Sequence, residues 1–163
     1  MTYHLEPMGE AHRRAVIDIY NHYVRESFAA YPELPAGYEM YDRFLEMTRG
    51  YPTVVALTEA GEAAGFAFLR PWHHAATIRR TAEITYFLHP GHVRRGLGGT
   101  LLAHLIEAAR PMGIDRLLAS ISSRNPESLG FHQTHGFTEC GRFPAVGRKF
   151  GEDFDIVWMT RPI

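Results

Sequence analysis

The sequence predicts a mixed α/β (α+β) domain built around one central sheet. Three observations carry this. Residues 10–26 and 96–109 space their apolar side chains three and four apart, as an amphipathic helix does. Residues 53–88 hold three short runs with strand composition, separated by turn residues. From residue 81 onward the pattern runs strand, helix, strand, helix, strand, strand, which is the order of a layered α/β unit.

The elements follow in order. Residues 2–5 read as a short first strand. Residues 10–26 form a helix with Val16, Ile19, Tyr20, Tyr23 and Val24 on one stripe. Residues 27–37 hold Pro32, Pro35 and Gly37 and read as a loop, although they also carry Phe28 and Tyr31. A second helix covers 38–49 and is closed by Gly50 and Pro52. Strands at 53–58 (TVVALT) and 64–69 (AGFAFL) join through a turn at Gly61, and 71–77 (PWHHAAT) is another loop. In the strand at 81–88, Ala82, Ile84, Tyr86 and Leu88 point one way, and Glu83, Thr85 and Phe87 the other. A helix over 96–109 buries Leu97, Leu101, Leu102, Leu105 and Ala108. A strand at 116–121 leads to a short helix over 125–135. There Asn125 is the N-cap, Pro126 takes the first position and Gly136 ends the helix. Strands at 143–149 and 155–159 finish the chain.

Composition narrows the function classes. Of 163 residues 45% are hydrophobic and 21% charged, which is ordinary for a chain with one packed core and excludes a disordered one. No apolar run approaches the ~20 residues of a membrane-spanning helix. Residues 1–10 lack a basic head before an apolar stretch, so no signal peptide is expected. Cys140 is the single cysteine, which excludes an internal disulfide and a cysteine-only metal site, and a reducing cytoplasm is the default compartment. Seventeen Lys and Arg face eighteen Asp and Glu, for a net charge of −1. Arginines cluster at 13–14, 79–80 and 94–95 but form no basic stripe, so nucleic acid is not an expected partner. Among ten histidines, His132 with His135 and His89 with His92 have i, i+3 spacing. Neither pair belongs to a His-Glu-x-x-His pattern, and no metal is expected.

The sharpest local feature is the run HPGHVRRGLGG at 89–99, after a strand and into a helix. Glycine lets backbone approach a ligand closely, and the free N–H groups of a helix start attract an anion. Arg94 and Arg95 add charge beside the same amides. The run lacks the Gly-Lys-Ser/Thr ending of a P-loop, and Leu101 stands where a dinucleotide fingerprint needs its third glycine. A turn that merely connects two elements remains the alternative.

Residues 82–90 (AEITYFLHP) with 94–98 (RRGLG) resemble motif A of the GCN5-related N-acetyltransferases. Residues 125–137 (NPESLGFHQTHGF) resemble their motif B. Within that superfamily the chain is most similar to the phosphinothricin and methionine sulfoximine acetyltransferases, through 19–24 (IYNHYV), 79–83 (RRTAE) and 147–151 (GRKFG). The resemblance runs over nearly the whole chain and implies one domain across 1–163. Its fold would be a mixed, strongly twisted sheet of about six to seven strands flanked by about four helices. The chain departs from the family pattern at Val93, where Gln or Arg is usual, at Phe87, where Tyr is frequent, and at Ile78, where an aromatic is frequent.

The resemblance implies acetyl-CoA as cofactor, with no metal, and a small amine as acceptor. Phe87, Leu88, Val93 and the backbone of Arg94, Arg95, Gly96, Leu97, Gly98 and Gly99 would hold the cofactor, its pyrophosphate on the turn. Asn125 and Ser128 would contact its arm, though helix capping alone also accounts for Asn125. Glu83, a carboxylate in mid-strand, is the expected general base; an ion pair to Arg79 or Arg80 is the alternative. His132 is the expected donor of a proton to the departing thiolate, against a plain helix-face histidine. Phe28, Tyr31 and Trp72 flank the acceptor pocket, Arg79 is placed to fork onto a substrate carboxylate, and Lys149 or Arg148 assists from the last hairpin, a solvated or structural role being the alternative for both. With Cys140 outside both motifs, transfer is expected to be direct, in a ternary complex. The resemblance also implies a homodimer. The rival function is a non-catalytic acyl-CoA-binding module.

Overall fold

A computed structural model describes residues 2–163. Its centre is a seven-stranded sheet. The strands are β1 (His4–Glu6), β2 (Thr53–Leu57), β3 (Ala63–Pro71), β4 (Thr81–Leu88), β5 (Arg116–Ser122), β6 (Thr138–Lys149) and β7 (Glu152–Pro162), in the spatial order β1-β2-β3-β4-β5-β7-β6. Every neighbouring pair is antiparallel except β4 and β5, which are parallel. A parallel pair needs a crossover, and α3 (Leu97–Ala109) supplies it. The remaining helices are α1 (Arg13–Glu26), α2 (Met40–Met47) and α4 (Pro126–Thr134).

Alternation along the strands divides the core in two. Val54, Ala67, Leu69 and Ala82 face α3, whose Leu97, Leu101, Leu102 and Leu105 are buried against them. Val55, Phe66 and Phe68 face the other way, against Val16 and Ile17 of α1 and Tyr41 and Phe44 of α2. Each such side chain contributes roughly 1.5–3 kcal/mol on leaving water. β4 therefore has a helix layer on each side. Ile84 and Tyr86 belong to the α3 side; Phe87 belongs to the α1–α2 side, and by alternation Glu83 and Thr85 face it too.

Several boundaries differ from the sequence expectation. Residues 10–12 form a 3-10 turn ahead of α1, and Gly96 lies outside α3 as its N-cap, at φ +80°. The last two strands are much longer than expected, because β6 passes through irregularities at Glu139/Gly141 and Phe143/Gly147 that hide its alternation. Pro144 and Ala145 (φ +49°) sit in the second of these. Among the described residues no helix is long and apolar enough to cross a membrane.

Candidate active site

β4 and β5 pair only at Thr81 with Arg116, Ala82 with Leu117 and Glu83 with Leu118. Beyond those three positions the strands part. β4 stays paired to β3 along its whole length, and β5 to β7. The gap between Ile84–Leu88 and Ala119–Ser122 opens into a cleft of about 1140 Å³ lined by both strands. Small-ligand pockets span roughly 300–1,000 Å³, so this one has room for an elongated ligand and a small second one.

The glycine turn closes one end. Gly96 takes a left-handed φ of +80° that costs an L side chain strain, and Arg94 also sits at φ +59°. The first N–H groups of α3 have no partners within their helix and carry its positive dipole end. Val93, Arg94 and Gly98 line the cleft. Arg94 reaches across to Glu127 at the start of α4, and both side chains are exposed. Gly98 is buried, and a β-carbon there would stand 3.0 Å from Phe131 Cε2; Gly99 stands equally close to His135 Nε2. Their smallness lets α4 pack on α3, a role the sequence reading gave to ligand approach. Leu97 is wholly buried, so only its backbone is available to a ligand. Arg95, Gly96, Leu97 and Gly99 do not line the cleft.

Asn125 caps α4: its Oδ1 accepts from Ser128 N at 3.2 Å. Asn125 and Ser128 also line the cleft, so both proposed roles fall to the same residues. Phe87 and Leu88 line it from β4, and the Leu88 carbonyl accepts from Tyr23 Oη at 2.6 Å.

Glu83 lies at the other end, its side chain 10% exposed, with Oε1 accepting from Arg70 Nη2 at 2.9 Å. Arg70 is its cross-strand neighbour in β3. The alternative partners are engaged elsewhere or distant: Arg80 forks onto Asp115, and Arg79 lines a separate small hollow with Arg49 and Met112. Arg79 is thus outside the cleft, because its 3-10 turn leaves it at the opposite end of β4 from the splay.

His132 is 3% exposed. Its Nδ1 lies 2.7 Å from the Ser128 carbonyl, which can only accept, so Nδ1 carries the proton and Nε2 accepts from Tyr86 Oη. Burial pushes the imidazole down to about 4, only partly offset by that carbonyl. His132 is therefore neutral near pH 7, with its one proton held on the Ser128 carbonyl. This corrects its expected role as the direct proton donor. The hydroxyl that it holds is that of Tyr86, a cleft-lining phenol that burial raises well above its ordinary range. The sequence placed Tyr86 on one strand face with Ala82, Ile84 and Leu88 and did not mark it as a site residue, because its partner lies 46 positions away.

The loop after α1 roofs the Glu83 end. Tyr31 Oη bonds Ser120 Oγ of β5 at 2.7 Å and its ring stacks on Phe154. Burial raises the Tyr31 phenol, and the charge of Glu83 adds to this. Trp72 lines the cleft at 43% exposure. Phe28 does not; it packs edge-on against Phe150 and Phe154. Lys149 is fully buried and donates to the carbonyls of Ser27 and Ala30, each at 2.6 Å. It fastens the loop and does not reach the cleft, a second correction. Its burial pulls the ammonium below the ordinary lysine range.

The chain is matched by family and by structure. Residues 16–137 match the model of the acetyltransferase (GNAT) family. The chain belongs to this family. Among GNAT relatives, an L-methionine sulfoximine/L-methionine sulfone acetyltransferase of Pseudomonas aeruginosa is 33% identical over 98% of this chain and 94% of its own. A phosphinothricin N-acetyltransferase of Streptomyces viridochromogenes is 33% identical over 96% of this chain and 86% of its own. The crystal structure of a GNAT phosphinothricin acetyltransferase from Sinorhizobium meliloti, in complex with AcCoA, superposes with a TM-score of 0.92. It is 33% identical, covering 100% of this chain and 89% of that one. Among the described residues no group of three or more His, Cys, Asp or Glu is disposed to hold a metal ion.

Proposed function

We propose that this protein moves the acetyl group of acetyl-CoA onto the primary amine of a small amino acid or an amino-acid-like toxin. The acceptor would be of the phosphinothricin or methionine sulfoximine type, as the names of its relatives indicate. The observation that carries the reading is the splayed β4–β5 cleft, with the glycine turn at one end and Glu83 at the other. Acetyl-CoA supplies an activated thioester when bound. Backbone amides at Gly96–Gly99 suit its pyrophosphate, and the edge of 84–88 that β5 no longer covers suits the amides of its arm.

Glu83 takes the proton from the acceptor ammonium, directly or through one water, so that the amine can attack. Tyr86 lies in the splay with its single proton resting on neutral His132. A thiolate is a stronger acceptor than that imidazole, and the phenol turns its hydrogen bond towards the negative sulfur. Transfer is direct: Cys140 donates to the Trp158 carbonyl in the β6–β7 hairpin and does not line the cleft. The chain acts as one domain across 1–163, in the cytoplasm. It pairs as a homodimer, for which exposed Phe143 and Val146 on β6 offer apolar surface.

The test mixes protein, acetyl-CoA and a panel of phosphinothricin, methionine sulfoximine and polyamines, and follows free thiol. Release with the amino-acid-like members is the expected result. Tight cofactor binding with no release from any amine would instead favour an acyl-CoA-binding module.

A further inference from the structure

We propose that Arg70 is the acceptor-positioning residue of this cleft, and that with Glu83 it selects amines bearing an adjacent carboxylate. The inference rests on the reading of the chain as an N-acetyltransferase for small amines, and names the charge pattern its acceptor must carry.

Among the described residues, Arg70 and Arg94 are the only arginines or lysines that line the cleft. Arg94 is at the glycine turn and is paired to Glu127. Arg70 is therefore the one fixed cation at the end where Glu83 meets the acceptor. It is also far from saturated. A guanidinium has five N–H donors. Here Nη2 reaches Glu83 Oε1 at 2.9 Å, Nη1 faces the Met47 thioether at 3.7 Å, and buried Nε has no partner among the described residues. Arg80 forks onto Asp115 with two bonds. The Arg70 pair makes one, at the cleft wall, with the Arg70 side chain 35% exposed and that of Glu83 10% exposed.

The pair presents a positive and a negative group side by side, fixed by the β3–β4 register. An incoming ammonium alone would be drawn to Glu83 but repelled by Arg70. An α-amino acid carries the complementary pattern: its ammonium addresses Glu83 and its carboxylate takes the Nη hydrogens that Arg70 leaves open, Nε being buried. Arg79 and Lys149, the basic residues that the sequence brought forward for this task, are placed elsewhere, as described above.

The test is binding, separate from turnover. Protein loaded with CoA is titrated by calorimetry with L-methionine sulfone and with its α-carboxamide, which keeps the amine and side chain but loses the charge. Wild type is expected to bind the acid roughly 10- to 100-fold more tightly, the span of a charge-assisted hydrogen bond. Arg70→Gln should collapse that ratio to within about threefold, and Arg70→Lys should restore part of it. The acid-to-amide ratio cancels any general disturbance of Glu83, which a merely structural pair would transmit equally to both ligands. Equal binding of the two by wild type, a ratio unchanged in Arg70→Gln, or no binding of the acid overturns the assignment. Thiol release is followed in parallel: a preserved acid preference without release would sink acetyl transfer and leave Arg70's role standing.

Discussion

Gly98 lies directly beneath the ring of Phe131: a β-carbon built on it would stand 3.0 Å from Cε2 and 3.2 Å from Cζ. Gly98→Val is therefore expected to push α4 from α3, costing ~1–3 kcal/mol as an overpacked core does. Thermal unfolding and acetyl-CoA titration on the same sample should fall together. Weakened binding at an unchanged midpoint would mean that Gly98 serves the ligand alone.

Lys149 holds the Phe28–Tyr31 loop by two bonds to its carbonyls, at 2.6 Å each. Lys149→Met keeps much of the volume but leaves both carbonyls without that donor. A loss of about 1–3 kcal/mol is expected, together with faster amide exchange across 27–31. Since the roof over Glu83 loosens, the acceptor KM should rise more than that of acetyl-CoA. Unchanged exchange in this loop would rule out the fastening role.

His132 makes stability depend on acid. Its pKa is about 4 when folded against 6.5 ordinarily, so between those values the unfolded chain binds more protons. Stability must fall as pH drops from about 6.5 towards 4, by at most ~3 kcal/mol. His132→Asn should flatten that limb in denaturant titrations at stepped pH. An acid limb as steep as that of wild type would show that other groups carry it.

Glu83→Gln keeps the shape and the place beside Arg70 but removes the base. Turnover should fall about 10²–10⁴-fold with acetyl-CoA affinity nearly unchanged. Stopped-flow rates near wild type would exclude Glu83 as the proton acceptor.

Much of the fold was legible because its signals are local. The leucines of α3, the alternation in β4 and the Asn125–Pro126 start of α4 each declare themselves within one element. The long β6–β7 hairpin was not, because the irregularities around Gly141 and Pro144 break the two-residue period. The site divides the same way. Glu83 and the glycine turn stood out on type and context. Arg70 became visible only with the β3–β4 register, and Tyr86 only when α4 folded back to set His132 against it. Lys149 misled, since a lone lysine near the end of a chain gives no hint that it is buried under a loop 119 positions earlier.

The early divergence of β4 from β5 has a mechanical consequence. A sheet that stops zipping after three rungs keeps a seam along its middle. An elongated ligand with amides of its own can knit that seam, so that occupancy would tie both halves of the molecule together.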